Sequence, residues 1–265
     1  MTLHDSRVVL VTGAARGIGA ATVRRLAASG HRVVAVDSCA GESGAPYPLA
    51  TRAELDTVVD ACADGSVVAQ VADVRDRAAL EAAAERALTT WGRLDAAVAA
   101  AAVIAGGRSL WETAEKDLDL LWEVDVKGVW NTAAACVPPM LAGPQPHDAR
   151  FVAIASAAGT HGLHHLAAYN AAKHAVVGLV KGLAADLVGT GATACAVSPG
   201  STRTPMLEET AALYGLHDVE TFADNQLVRR VLDPDEIAAT VAFCCSPDGG
   251  VVNGSVVQAD GGFAP

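Results

Sequence analysis

The sequence is poor in basic and aromatic residues, and both shortages exclude classes of protein. Lys and Arg number 19 against 30 Asp and Glu in 265 residues, so the formal net charge is −11. Nucleic acids and anionic membrane surfaces bind basic patches, and this charge balance argues against both as partners. Aromatic residues make up 4% of the chain, whereas apolar residues, many of them alanine, make up 51%. We therefore expect a sizeable core in which small side chains let helices pack closely on a sheet.

Metal-binding cysteine patterns and long apolar runs are also lacking. The six cysteines include no CxxC pair and no zinc-site spacing, so we interpret them as free thiols in a reducing compartment. The longest uncharged apolar run, AAVAAAAVIAGG, is too short to cross a bilayer. The first residues, MTLHDSRVVLVTG, run into a strand pattern and do not resemble a signal peptide. These features predict a cytoplasmic protein without a bound metal or a membrane segment.

Short apolar runs, rich in valine, alternate along the chain with alanine-rich helical patterns. The runs are apolar throughout, which is typical of a parallel sheet buried on both faces. Their order predicts a Rossmann-type α/β fold, a doubly wound parallel sheet of about seven strands with helices on both faces. Residues 115–141 read as one long helix, and no linker interrupts the chain, so residues 1–265 are expected to form one domain. The strand candidates are RVVLVTG, RVVAVD, SVVAQVAD, LDAAVAA, RFVAIAS, TACAVSPG and SVVQADG.

The segment RVVLVTGAARGIGAAT combines the first strand, a glycine-rich turn and the start of a helix. Gly13, Gly17 and Gly19 suit a tight turn, a close approach of the backbone to a pyrophosphate, and close packing of helix on strand. The helix N-terminus, with Arg16 and Ile18 beside it, offers free N–H groups and a positive dipole to phosphates. The segment predicts a dinucleotide-binding site.

The choice of cofactor depends on Asp37, which ends the second strand 18 residues after Gly19. A carboxylate there accepts hydrogen bonds from both adenosine-ribose hydroxyls and repels a 2′-phosphate, which favours NAD(H). Arg16 is the opposing signal, since a basic residue in the turn can bind that phosphate. We give Asp37 more weight because it stands where the phosphate would lie. Asp73 and Val74, after the third strand, are placed to meet the adenine ring, although a turn without this role fits the sequence equally well.

A serine, a tyrosine and a lysine form the candidate catalytic group. Tyr169 and Lys173 are four residues apart in a helical pattern, so they project from one face, and Ser156 precedes that helix. A free tyrosine, with a pKa of about 10, is a poor base at neutral pH. The Lys173 ammonium and an oxidised nicotinamide both favour the phenolate, so we expect the pKa of Tyr169 to fall toward the working range. This chemistry suits removal of the hydroxyl proton while an alcohol gives up a hydride.

Five features occur in a characteristic order and spacing, namely TGAARGIG, Asp37, Ser156, YNAAK and SPGSTRTPM. Together they resemble the short-chain dehydrogenase/reductase family over nearly the whole chain. The resemblance implies hydride transfer between NAD(H) and a secondary alcohol or its carbonyl. It implies that Tyr169 is the acid/base, that Ser156 holds the substrate oxygen, and that Lys173 also binds the nicotinamide ribose. By the same resemblance, Thr204 would bond the nicotinamide carboxamide. Further implied cofactor contacts are Ala100, Pro199, Gly200 and Thr202.

Two departures from the family pattern affect the site. The family usually has Asn-Asn-Ala-Gly after the fourth strand, where residues 99–102 are alanine, so strand-tying side-chain hydrogen bonds are lost at about 1 kcal/mol each. The asparagine that completes the family's catalytic tetrad aligns with Asp125. Asp125 can still hold the catalytic water through its main chain, or its charge can tie up Lys173. The second outcome underlies the alternative interpretation, an NAD-binding sensor or scaffold of low turnover.

The stretch between Asp37 and Asp73 is longer than short family members need for one helix and two turns. The extra part, SCAGESGAPYPLAT, is rich in Gly, Pro and Ser, so it predicts a loop, which can fold over the adenine end of the cofactor. An insertion there resembles the family's subgroup associated with the redox peptide mycofactocin. That resemblance implies that NAD stays bound and that mycofactocin accepts the electrons. A plain surface loop with freely exchanging NAD is the alternative.

The substrate pocket and the assembly are less specified. Pocket shape depends on segments 103–112, 157–166 and 206–228, which read as loops. His161, His164 and His165 lie in the second of these segments, and at least one is expected to line the pocket. A metal site is not expected, because no nearby carboxylate or cysteine joins these histidines. The family commonly forms tetramers through the helices after the fourth and fifth strands, and the small residues there predict a homotetramer.

Overall fold

The computed structural model describes residues 6–264 and contains a seven-stranded sheet. The strands are β1 (Val8–Thr12), β2 (Arg32–Asp37), β3 (Val67–Val71), β4 (Ala96–Ala99), β5 (Arg150–Ile154), β6 (Thr193–Pro199) and β7 (Val256–Ala259). All neighbouring strands are parallel, in the spatial order β3-β2-β1-β4-β5-β6-β7. The predicted doubly wound Rossmann-type fold is confirmed. Residues 1–5 and 265 of the predicted domain lie outside the described residues.

Helices cover both faces of the sheet. They are α1 (Gly17–Ala28), α2 (Arg52–Asp60), α3 (Arg77–Trp91), α4 (Glu115–Leu121), α5 (Gly128–Leu141), α6 (Ala167–Asp186), α7 (Pro205–Leu213) and α8 (Pro234–Cys245). One buried layer includes Leu80 of α3, Val129 of α5 and Val176 of α6, and the other includes Leu26 of α1 and Ile237 of α8. Many alanines fill both layers, as the composition predicts. Within residues 6–264, no helix is both long and apolar enough to cross a membrane.

The strand order reverses at β1, which pairs with β2 on one side and β4 on the other. In open α/β sheets, ligands bind beyond the carboxyl ends of the strands at this reversal point. The fold therefore directs the ends of β1, β2, β4 and β5 toward one crevice.

The helix predicted over residues 115–141 is not uniform. Between α4 and α5, residues Trp122–Lys127 form a π-helical turn. Turns of this kind are rare in proteins and are frequent at functional sites. Here the turn includes Asp125 and Val126, both of which are buried.

The segment 206–228, which reads as a loop, contains most of α7 and the 3-10 segment Val219–Asn225. Thr204 caps α7, because its Oγ1 accepts the Leu207 N–H at 3.3 Å, and Pro205 occupies the first helical position. A capping threonine followed by proline is a helix-start signal. The expectation of a loop here is wrong for α7 and for the 3-10 segment, because this helix-start signal in the sequence was overlooked.

Candidate active site

The turn between β1 and α1 has a shape that requires glycine. Gly13 and Gly17 have positive φ angles of 67° and 52°. A Cβ on Gly19 would lie 2.0 Å from the Gly13 carbonyl oxygen, and one on Gly13 would lie 2.8 Å from the Ala101 backbone. Among the described residues, no side chain caps α1 at Arg16, so its first N–H groups stay free to bind phosphate. The turn fits the pyrophosphate of a dinucleotide.

Asp37 ends β2 with its carboxylate held by two main-chain N–H groups. Oδ2 accepts the Ala15 N–H and Oδ1 accepts the Cys39 N–H, each at 3.1 Å. The carboxylate lines the same cavity as the glycine turn. A carboxylate has about four acceptor positions, so Asp37 retains capacity for ribose hydroxyls.

Arg16, the signal for a 2′-phosphate, is engaged elsewhere. Its Nε and Nη2 donate to the two Glu54 carboxylate oxygens at 2.6 and 2.8 Å, and its Nη1 donates to the Pro48 carbonyl at 3.1 Å. The hydrogen bonds from Arg16 lower the pKa of Glu54 to about 2, so Glu54 stays charged at neutral pH. Glu54 is also fixed by a capping box with Thr51. The Arg16 charge is thus offset by a neighbouring carboxylate.

Asp73 and Val74 lie in the cavity wall beyond β3. The Asp73 carboxylate accepts hydrogen bonds from Arg75 Nε at 3.0 Å and Nη2 at 2.5 Å. Val74 packs closely on Gly128, because a Cβ atom added to Gly128 would lie 2.6 Å from the Val74 Cγ2 atom. Arg75 lines the cavity too, and sequence reasoning missed it, although a basic residue two positions after Asp73 was a visible signal.

The candidate catalytic group meets where β5 and α6 approach each other. Ser156 follows β5, and its Oγ accepts the Ala158 N–H at 3.1 Å. Tyr169 lies on the first turn of α6 and lines the same cavity as Ser156. The Lys173 ammonium lies 5.5 Å from the centre of the Tyr169 ring and donates to the Ile154 carbonyl at 3.3 Å. The predicted trio is therefore brought together.

The pKa of Tyr169 is raised above its ordinary value in this structure. Burial is the largest cause, and the Asp125 carboxylate adds to it. Lys173 and the Ser156 hydroxyl lower the pKa, but by less. The expectation that the pKa falls is therefore wrong for the protein residues alone. Its reasoning counted the lysine and the nicotinamide charge but not burial or the buried carboxylate.

Asp125 is fully buried behind Lys173. Its Oδ1 accepts the Val103 N–H at 2.9 Å, and its Oδ2 lies 3.1 Å from the Lys173 ammonium. Both side chains of this ion pair are almost inaccessible, at 0% and 2% exposure. The Asp125 side chain therefore contacts Lys173 directly. Burial raises the pKa of the Asp125 carboxyl, while Lys173 and the Val103 N–H act against that rise.

One cavity of about 1010 Å³ joins these parts. It is lined by all the predicted site residues except Asp125, which lies behind the wall. Those lining residues are Gly13, Arg16, Gly17, Ile18, Gly19, Asp37, Asp73, Val74, Ala100, Ser156, Tyr169, Lys173, Pro199, Gly200, Thr202 and Thr204.

Thr12 takes over part of the strand-tying role of the missing asparagines. Its Oγ1 accepts the N–H groups of Ala100 at 3.1 Å and Ala101 at 3.2 Å. Sequence reasoning missed this residue, because its partner segment lies almost 90 positions away along the chain. The loss expected from residues 99–102 is thus partly compensated.

The insertion after Asp37 is a loop, as predicted, and it reaches farther than the adenine end. The Tyr47 hydroxyl accepts the Ile104 N–H at 2.9 Å, and the Pro48 carbonyl accepts from Arg16 at 3.1 Å. Tyr47 and Leu49 pack in the same apolar cluster as Tyr169. The loop therefore bridges the cavity from the glycine turn to the catalytic end.

The three histidines His161, His164 and His165 differ in what they contact. His164 lines the cavity, and its carbonyl accepts from the Tyr214 hydroxyl at 2.5 Å. His161 packs against the Phe263 ring, and His165 stacks on His164. Across residues 6–264, no three His, Cys, Asp or Glu side chains are grouped to hold a metal ion.

A glycine-rich turn that fits a pyrophosphate, the Asp37 carboxylate and a Ser-Tyr-Lys group line one cavity, which is the arrangement expected of a dinucleotide-dependent oxidoreductase. The family described as enoyl-(acyl carrier protein) reductase matches residues 13–264. The chain belongs to the short-chain dehydrogenase/reductase family, as its motifs predict.

Relatives of this chain include proteins named for NAD. A Mycobacterium tuberculosis protein described as an uncharacterized NAD-dependent oxidoreductase is 36% identical over 270 residues, which cover 98% of this chain and 96% of the relative. The crystal structure of carveol dehydrogenase from Mycobacterium avium in complex with NAD has a TM-score of 0.89 and 30% identity, covering 97% of both chains. A short chain dehydrogenase from Mycobacterium paratuberculosis, solved bound to NAD, has a TM-score of 0.87 and 30% identity, covering 97% of both chains.

Proposed function

We propose that the enzyme transfers a hydride between NAD(H) and an apolar secondary alcohol or its carbonyl. The observation that carries this proposal is that Ser156, Tyr169 and Lys173 open into the same cavity as the glycine turn and Asp37. The cofactor is NAD, which supplies the hydride acceptor when bound. The relative that is named for carveol, a secondary alcohol, supports the substrate class.

The residues divide the chemistry among them. The Ser156 hydroxyl orients the substrate oxygen toward Tyr169. As the phenolate, Tyr169 takes the alcohol proton during oxidation, and as the phenol it returns that proton during reduction. Lys173 supplies positive charge beside the phenol, which favours proton removal. In this proposal Lys173 would also bind the nicotinamide ribose. Apolar side chains of Leu166, Met206 and other residues enclose the catalytic end, which suits a hydrophobic substrate.

The test of this proposal is a panel of secondary alcohols assayed with NAD, and of the matching ketones assayed with NADH, at several pH values. Turnover of apolar members supports it. The second candidate is an NAD-binding sensor or scaffold. It is favoured by the Asp125–Lys173 ion pair, because Asp125 offsets the positive charge that would stabilise the Tyr169 phenolate. Tight NAD binding with no reduction by any alcohol would establish that alternative.

The path of the insertion supports a further part of the proposal, namely that NAD stays bound and that mycofactocin accepts its electrons. Tyr47 and Pro48 fasten the loop across the cavity at its two sides. In this proposal the cofactor leaves when the loop opens, and opening breaks the Tyr47–Ile104 and Arg16–Pro48 hydrogen bonds. A trapped cofactor needs an electron carrier that comes to the protein, and a redox peptide has that property.

Cofactor preference provides one prediction. Asp37→Ala should reduce the preference for NADH over NADPH by about tenfold or more, because it removes charged hydrogen bonds to the ribose and the repulsion of a 2′-phosphate. Binding of both cofactors is measured by fluorescence titration. Glu54→Gln is the informative companion variant, since it frees Arg16 and should improve NADPH binding alone. Equal binding of NADPH and NADH by the wild type would contradict this role for Asp37.

Assembly provides another prediction, a homotetramer. Trp130 on α5 is 60% exposed, and Trp122, in the π-helical turn before α5, is 43% exposed. In this proposal both side chains belong to one contact surface between subunits. We expect light scattering at micromolar concentration to give four times the subunit mass. Trp130→Glu should lower that mass, because it places a charge in the contact. A wild-type monomer under these conditions would refute the prediction.

A further inference from the structure

Three polar side chains form a line from the protein interior to the cavity. Asp125, fully buried, lies 3.1 Å from the Lys173 ammonium. That ammonium lies 5.5 Å from the centre of the Tyr169 ring, and Tyr169 opens into the cavity. A carboxylate therefore stands directly behind the cation that serves the phenol.

The backbone holds Asp125 in this orientation. The π-helical turn Trp122–Lys127 contains the residue, and the Val103 N–H donates to Oδ1 at 2.9 Å, which leaves Oδ2 facing Lys173. The adjacent Glu123 belongs to the same turn but lies near the surface, where it pairs with Lys127. The two carboxylates thus share an element and differ in what they face.

We propose that Asp125 is a positioning residue that offsets the Lys173 charge and keeps Tyr169 protonated to higher pH than an asparagine in its place would allow. The enzyme then supports carbonyl reduction across neutral pH and reaches full alcohol oxidation only in the alkaline range. This inference rests on the proposed function, and it adds the protonation state that the resting site maintains.

The charges around Tyr169 act in the direction that this proposal requires. Lys173 and the Ser156 hydroxyl favour the phenolate, whereas burial and Asp125 favour the phenol. Burial lowers the pKa of Lys173, but Asp125 and Tyr169 together raise it by more, so the ammonium keeps its proton. Tyr47, from the insertion, also lies near Tyr169 and Asp125. Burial raises the pKa of Tyr47, and the charges of Asp125 and Glu209 raise it further, so its phenol stays neutral. Asp125 is the anion of this set that pairs directly with Lys173.

The sign of the effect follows from these charges. A carboxylate near the phenol disfavours a second negative charge, so removing it lowers the pH at which the phenolate forms. Asp125→Asn keeps the size of the side chain, removes its charge and replaces one carboxylate oxygen by an amide NH2 group. We expect the pH at which the Tyr169 phenolate forms to fall by about one unit or more in this variant. The pH profile of alcohol oxidation should shift in the same direction by a similar amount.

Ultraviolet titration of tyrosinate tests this directly, because the chain has only three tyrosines. The signal of Tyr169 is the difference between each protein and the same protein carrying Tyr169→Phe. Glu123→Gln is the matched control and should leave the titration and the pH profile in place. An unchanged or upward-shifted titration in Asp125→Asn would overturn the proposal.

Two further outcomes stay separable. If no alcohol or ketone reacts, the proposed function fails, yet the tyrosinate titration still decides the role of Asp125. If Asp125→Asn does not fold by circular dichroism, Asp125→Ala is titrated in its place. Tyr169 should then titrate below its wild-type value, and an equal or higher value would overturn the proposal.

Discussion

Tyr169→Phe should slow hydride transfer by about 10²–10⁴-fold, the usual contribution of a general acid or base. The variant removes one oxygen and keeps the ring that packs among buried neighbours such as Leu166 and Ala172. NAD binding should therefore change little. The rate is measured in a single turnover, by the appearance of reduced nicotinamide after mixing with a reactive alcohol.

The control for this variant is Tyr214→Phe. Tyr214 also lines the cavity, and its hydroxyl donates to a backbone carbonyl, that of His164. Its loss should alter substrate affinity or stability without abolishing the chemical step. A Tyr169→Phe enzyme that keeps its rate within a few-fold would remove the tyrosine from the mechanism and leave another group as the acid/base.

Deletion of residues 40–48 should convert a retained cofactor into an exchanging one. The wild type should purify with NAD(H) and should need an artificial electron acceptor, beyond free NAD, for repeated turnover. The deletion removes the contacts of Tyr47 with Ile104 and of Pro48 with Arg16. Each hydrogen bond contributes about 1 kcal/mol, so losing both should raise the rate of NAD release by at least about 30-fold.

The geometry of the loop makes this deletion practicable. The Leu49 N–H donates to the Gly41 carbonyl at 2.7 Å, so the two ends of the deleted segment lie close together. Tyr47→Phe is the milder companion, since it removes only the acceptor for Ile104, and should give an intermediate release rate. Wild-type protein that purifies without cofactor and rapidly reduces added NAD over many turnovers would contradict cofactor trapping.

The local patterns in the sequence were sufficient for the fold and for much of the site. Apolar runs correspond to all seven strands. The central strands are buried on both faces, which leaves no polar alternation, whereas the edge strands β3 and β7 are only partly buried. The glycine turn, Asp37 and the i, i+4 pair of Tyr169 and Lys173 depend on short-range spacing, and the structure brings all of them to one cavity.

What the sequence did not predict depends on long-range contacts. Tyr47 meets Ile104 across 57 positions, and no local pattern encodes that contact. The π-helical turn at Asp125 differs from an α-helix only in hydrogen-bond spacing, so the same residues read as a continuous helix. The raised pKa of Tyr169 depends on burial and on the Asp125 carboxylate from another element. The neighbouring lysine alone therefore did not predict the direction of the pKa shift.

The most direct test of hydride transfer at this site is one turnover on the enzyme itself. Wild type and Tyr169→Phe, each with one equivalent of NAD per subunit, are mixed with apolar secondary alcohols at alkaline pH, and reduced nicotinamide is followed by absorbance. Our account predicts up to one equivalent of reduced nicotinamide on the wild type with at least one alcohol, and almost none on the variant in the same time. Bound NAD that no alcohol reduces on the wild type, or equal reduction on both proteins, would contradict it.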